Sequence, residues 1–212
     1  MGDILDGILL RFRGRRCSLK TTSKAGKTIL IWGLVLVAIL MIGAVIDMTG
    51  ITGTCMFILV AYFAAIAGTI PVITIRRFGT GILVFVPYVL IGFVPLYYFD
   101  WMQKESLVGL WAVFASSLSG ILIGAGLDLV AHLTGKSSVR MRAIAVGTTM
   151  QVMTFIVMLV TLKYLYLPVS DMAAHVHFFD QRWFFTLPWM AVNGAFGGYT
   201  AYALTNRRAG IE

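Results

Sequence analysis

The chain has 212 residues, 59% of them hydrophobic and 12% charged, with a mean hydropathy of +0.89. Soluble domains sit nearer roughly 45–50% apolar and 25% charged, so the composition excludes an ordinary soluble domain and points to an integral membrane protein. The net charge of +8 and pI of about 9.8 would suggest nucleic acid in a soluble chain. In so apolar a chain they mark the cytoplasmic side of a membrane instead, and nucleic acid is not an expected partner.

Long period-two alternations are absent, so the expected fold is all-α, a polytopic helical bundle rather than a barrel. Residues 1–12 place Ile4, Leu5, Ile8, Leu9 and Phe12 at helical spacing, with Asp3, Asp6 and Arg11 elsewhere. That pattern predicts an amphipathic helix on the membrane surface. Acids precede the bases and the apolar run is short, which does not match a secretory signal peptide. Arg11, Arg13, Arg15, Arg16, Lys20, Lys24 and Lys27 then make residues 1–27 a basic cytoplasmic segment that touches anionic lipid or docks a partner.

A membrane span needs about 20 apolar residues. Six stretches qualify, at roughly 28–47, 54–75, 80–99, 107–133, 142–167 and 183–205. They define a transmembrane domain at 28–205 and a short cytoplasmic tail at 206–212. With both termini inside, only Lys104, Lys163 and Arg182 fall on the outer side. That asymmetry predicts an N-in, C-in multi-pass protein of the cell membrane, plainly a prokaryotic inner membrane. Cys17 and Cys55 then lie on opposite sides and do not pair, and no CxxC is present.

Small residues mark the helix faces that pack. Segment two carries Ala61, Ala64, Ala65 and Gly68 and is expected to end at Pro71, before Arg76 and Arg77. Segment three holds Pro87, Gly92 and Pro95, the composition of a kinked or broken helix. Segment four repeats small residues every fourth position, at Ala112, Ser116, Gly120 and Gly124, and continues the strip with Asp128 and His132. It is therefore expected to be the central helix. Segment six offers Gly194 and Gly198, with Asn193, Gly197 and Ala201 as a parallel strip, and is the expected partner of segment four.

Two constellations can carry chemistry. At i,i+4 the Asp128 carboxylate can hold the His132 imidazole, for a proton relay or half a metal site; equally, His132 caps a helix end. The outer loop before segment six gathers Asp171, His175, His177 and Asp180 beside an aromatic belt. Asp171 and His175 share a face of a helix, whereas His175 and His177 share one on an extended run. Such N/O donors suit a transition metal, with His175, His177 and Asp171 as ligands. An interfacial loop anchored by aromatics accounts for the same residues. Within the membrane, Asp128, Gln151 and Asn193 are the candidate contacts to a solute. Met150, Met153 and Met158 do not form one face and read as adaptable packing.

The layout of residues 28–205, with the Ala61-xxx-Ala65 pair and the segment-four strip, resembles the substrate-binding S components of energy-coupling-factor vitamin transporters. That resemblance implies uptake of a vitamin-like solute or a metal, with docking on a transmembrane partner and separate ATPase subunits. No Walker motif is present in the chain itself. Residues 175–188, through His175-x-His177, Asp180-x-Arg182, Thr186 and Pro188, resemble a short stretch of copper membrane monooxygenases. That stretch follows the first helix in that family and precedes the last one here. Three functional expectations result: a small-solute binding or permease subunit, a subunit of a metal-dependent membrane oxidoreductase, or an assembly subunit of a membrane complex.

Overall fold

The computed structural model describes the backbone of residues 19–48, 54–103, 107–164 and 172–208, and side chains within 24–42, 59–91, 118–157, 160 and 186–207. The N-terminal residues 1–18, with the expected amphipathic helix, lie outside them, as do Asp171 and the side chains of Ala112, Ser116, His175 and His177.

The regular elements among the described residues are six helices: α1 (Leu19–Met48), α2 (Thr54–Ile75), α3 (Thr80–Gln103), α4 (Leu107–Leu133), α5 (Val139–Tyr164) and α6 (Met172–Arg208). Each of the six expected apolar stretches lies within or largely within one of these helices. Two helices outlast their apolar stretch by the most: α1 begins at Leu19 among the lysines, and α6 begins at Met172. Helix formation needs local propensity, whereas the hydropathy pattern marks only what is apolar. Helix α2 runs through Pro71 to Ile75, the bound of the expected stretch at 54–75, rather than ending at Pro71. Helix α3 likewise continues as one element past Pro87 and Pro95 rather than breaking.

The centre of the bundle is α2 and not α4. Helix α2 packs on every other helix, and each residue from Ala64 to Ile73 is buried. A helix that is apolar all round belongs inside, and here alanines, Gly68 and β-branched residues let neighbours close in from several sides. The main core joins Leu36, Ala64, Ala67, Val84, Phe85, Leu127, Val146 and Met150.

Glycines set the closest crossings. A Cβ at Gly33 would lie 2.7 Å from the Pro87 ring and 2.8 Å from the Val84 carbonyl, so α1 sits directly on α3 at its proline. Gly124 meets the Ile82 Cα in the same way at 2.7 Å, and Gly120 faces Phe85 and Tyr88, so the small strip of α4 packs on α3. The glycines of α6 are divided between two neighbours. Gly194 and Gly198 press on Gly147 and Ala143 of α5, and Gly197 presses on Ala65 of α2.

Helices α4 and α6 do not touch among the described residues, so the expected pairing of their strips is corrected. A stripe of small residues dictates that something packs closely without naming what does. The Ala61-xxx-Ala65 pair is also used internally, Ala61 beside Gln151 and Ala65 beside Gly197.

One window, Lys24–Ile42, is long and apolar enough to cross a membrane, and only 17% of it is buried. Leu59–Ile75, Thr80–Ile91 and Leu118–Leu133 are shorter apolar helices among the described residues. Large apolar side chains are exposed on all six helices, from Leu30 and Ile31 on α1 to Phe196 on α6.

Candidate functional site

At one end of the bundle two turns come together, residues 76–79 joining α2 to α3 and residues 134–138 joining α4 to α5. Between them lies a cleft of about 290 Å³, lined by Val72, Arg76, Arg77, Phe78, Asp128, Ala131, His132, Gly135 and Arg142.

The first turn is built by helix-end chemistry. The Arg76 amide donates to the Val72 carbonyl at 3.3 Å, and Arg76 has φ of 53°. This is the left-handed helix stop that glycine ordinarily fills; an arginine there costs about 1–2 kcal/mol of backbone strain. Its Nε also donates to the Ile73 carbonyl at 3.3 Å. The chain then reverses at Gly79, with φ of 93°, whose carbonyl accepts the Leu83 amide at 3.0 Å and so opens α3.

Gly79 therefore occupies the capping position of α3 without a side chain to offer the next amides. Asp128 supplies the missing acceptor from α4. Its Oδ1 accepts the Gly81 amide at 2.8 Å and its Oδ2 the Ile82 amide at 3.2 Å. The Asp128 side chain is 2% exposed, and the positive end of the α3 dipole stabilises its charge. The expected Asp128–His132 pairing is not made. Both carboxylate oxygens go to backbone amides, while the exposed His132 ring stands edge-on to Phe78, 6.4 Å between centroids.

Arg142 closes the opposite wall. It is 8% exposed, and its Nε and Nη2 donate to the carbonyls of Thr134 and Gly135 beyond the end of α4. A guanidinium has five N–H donors, and the negative end of a helix dipole favours the charge placed there. No carboxylate among the described residues pairs with Arg142. Three arginines and one histidine thus face a cleft whose one acidic group is spent on α3. Outside the cleft, the Arg140 guanidinium lies 5.1 Å from the ring centroid of Tyr199, tying α5 to α6.

Other site residues fall elsewhere. Gln151 is 2% exposed; its Nε2 donates to the Ala61 carbonyl at 2.5 Å, and its Oε1 has no hydrogen-bond partner among the described residues. Asn193 lies on α6, beside the Gly194 that packs against Gln151. Asp128 and Gln151 are thus held on separate interfaces, α3–α4 and α2–α5.

The backbone is helical through residues 175 and 177, the helical rather than the extended alternative for that stretch. Among the described residues no group of three or more His, Cys, Asp or Glu gathers to hold a metal ion. No protein-family model, curated protein or solved structure matches this chain.

The arginines of the cleft were read from the sequence only as topology markers. The signal that finds them is positional: Arg76 and Arg77 open one turn and Arg142 follows another, and hairpin geometry brings both turns to the same end.

Proposed function

We propose that this protein crosses the membrane six times with both termini in the cytoplasm, and that it binds or passes a small solute through the cleft between Arg76 and Arg142. The apolar surface exposed on all six helices supports a lipid environment, since soluble monomers rarely expose contiguous apolar area of that extent. Basic residues on both turns, Arg76 and Arg77 on one and Lys136 on the other, support the cytoplasmic assignment of that end.

One observation carries the functional reading. A cleft of about 290 Å³ is floored by a satisfied carboxylate and walled by guanidinium groups held on helix ends. Ligand sites occupy concavities of about this size with a few convergent polar groups. Buried charges are costly to assemble, and here Asp128 and Arg142 each complete a helix end on the same cleft.

Solute binding is measured by thermal unfolding of the purified chain across a panel of metals, vitamins and charged metabolites. A true ligand raises the midpoint with concentration, by about 2.7 kcal/mol of stability at one hundred times its Kd. No shift from any member of the panel refutes solute binding. Co-purification from the native host then assigns the complex: ATPase subunits with a second membrane protein support coupled uptake, and redox subunits favour the oxidoreductase alternative. With Cys17 and Cys55 replaced by serine, single cysteines placed at Lys136 and at Lys104 test the topology, with labelling from the cytoplasm expected only at Lys136.

A further inference from the structure

We infer that the ligand of this cleft is a phosphate-bearing anion, recognised by Arg76, Arg77 and Arg142; the inference rests on the solute-binding reading above and names its substrate class. Three arginines line the cleft against one acid, and both oxygens of that acid accept amides of α3. Arg142 is 8% exposed and donates to carbonyls alone. A buried guanidinium without a carboxylate partner is completed by an anion reaching it from the cleft.

Arg76 adds an independent observation. It holds a left-handed backbone conformation at a helix stop where glycine is free of strain. Strain of this kind persists where a side chain is needed at that place. Planar guanidinium forks match the oxygen spacing of phosphate and bind it bidentately. The cleft volume exceeds a bare phosphate and leaves room for a small organic body beside it, with Phe78 and Val72 as its apolar walls. The same chemistry is offered by a soluble phosphate ester and by the headgroup of an anionic lipid at the membrane surface.

The experiment reconstitutes the full chain in phosphatidylcholine nanodiscs and titrates inorganic phosphate and glycerol 3-phosphate calorimetrically. A second arm exchanges the chain into discs containing phosphatidylglycerol and reads bound lipid by native mass spectrometry. Saturable binding in the first arm assigns a soluble phosphate ester, and selective retention in the second a lipid headgroup.

Arg76→Gly suits the left-handed position, so the fold is kept, and Arg77→Gln removes a second charge. Each is expected to weaken phosphate binding at least about tenfold, since a lost charge-assisted contact is worth roughly that factor. Binding in neither arm, or binding unchanged in both variants, overturns the assignment. A non-phosphate solute that stabilises the wild-type chain and loses its effect in Arg76→Gly overturns the phosphate class while leaving the solute-binding cleft intact. A chain that no solute and no lipid stabilises removes both.

Discussion

Replacing Asp128 by alanine removes the acceptor of two amides at once. The Gly81 and Ile82 N–H groups belong to the first turn of α3, where no residue four positions earlier bonds them. Gly79 has no side chain to take over, and a carboxylate that is 2% exposed is not readily replaced by water. Leaving a buried donor unsatisfied costs about 1–3 kcal/mol, while losing an N-cap costs about 0.5–2 kcal/mol; these describe one contact and are not added. Removing a buried charge returns part of the loss. The expected net destabilisation is about 2–4 kcal/mol, or a midpoint lower by about 5–15 °C on the scaling for chains of this size. Asp128→Asn keeps one acceptor and turns an amide group toward the second N–H, so it is expected to lose roughly half as much. The assay is thermal unfolding in detergent, joined to hydrogen exchange at the first turn of α3. If Asp128→Ala melts with the wild type and the Gly81 and Ile82 amides stay protected, the capping argument is wrong. A selective loss of solute binding at unchanged stability would instead return Asp128 to the role of a ligand contact.

Other expectations follow from the same geometry. Arg76→Gly relieves about 1–2 kcal/mol of left-handed strain and gives back up to about 1 kcal/mol in chain entropy, so it is expected to raise the melting midpoint slightly; a lower midpoint contradicts the strain assignment. Gly147→Ala places a methyl 2.7 Å from the Gly198 Cα and is expected to cost about 1–3 kcal/mol, whereas Gly26→Ala, with nothing within 4 Å, is expected to be neutral or mildly stabilising; equal effects on thermal unfolding would dismiss the seam. Gln151→Met removes one hydrogen bond and one unpaired buried oxygen together, so its unfolding midpoint is expected to stay within about 1 kcal/mol of wild type. A solute-contacting Gln151 would show itself in that variant as lost binding with the fold intact.

Much of the architecture is legible in the residues themselves. Runs of apolar residues locate the helices, and the four-residue repeat of Gly120, Gly124 and Asp128 does lie on one packed face. What periodicity does not carry is the identity of the opposing surface. Gly194 and Gly198 satisfy their need for a close neighbour equally well against Gly147 as against the strip of α4, and only the course of the chain decides. The Asp128–His132 pairing fails for a related reason. Asp128 has His132 as its nearest ionisable neighbour in sequence, but its partners are main-chain amides 46 and 47 residues away, which no side-chain pattern records. The hint was present at Gly79, a helix start lacking a capping side chain. Centrality was misjudged in the same way: the α4 strip has a distinctive face, whereas α2 is buried because no face of it is distinctive.

The bond from Asp128 to the start of α3 also bears on how the bundle assembles during synthesis. Asp128 is made 48 residues after Thr80, so on the proposed membrane-spanning reading the first turn of α3 has no side-chain acceptor until the end of α4 has been made. Its free amides are tolerable in the wet headgroup layer and intolerable deeper in hydrocarbon. On that reading the start of α3 stays in the headgroup layer until α4 arrives, and the two settle as a hairpin rather than one after the other. A chain stopped short of residue 128 should leave the Gly81 and Ile82 amides open to hydrogen exchange, and completing α4 should protect them.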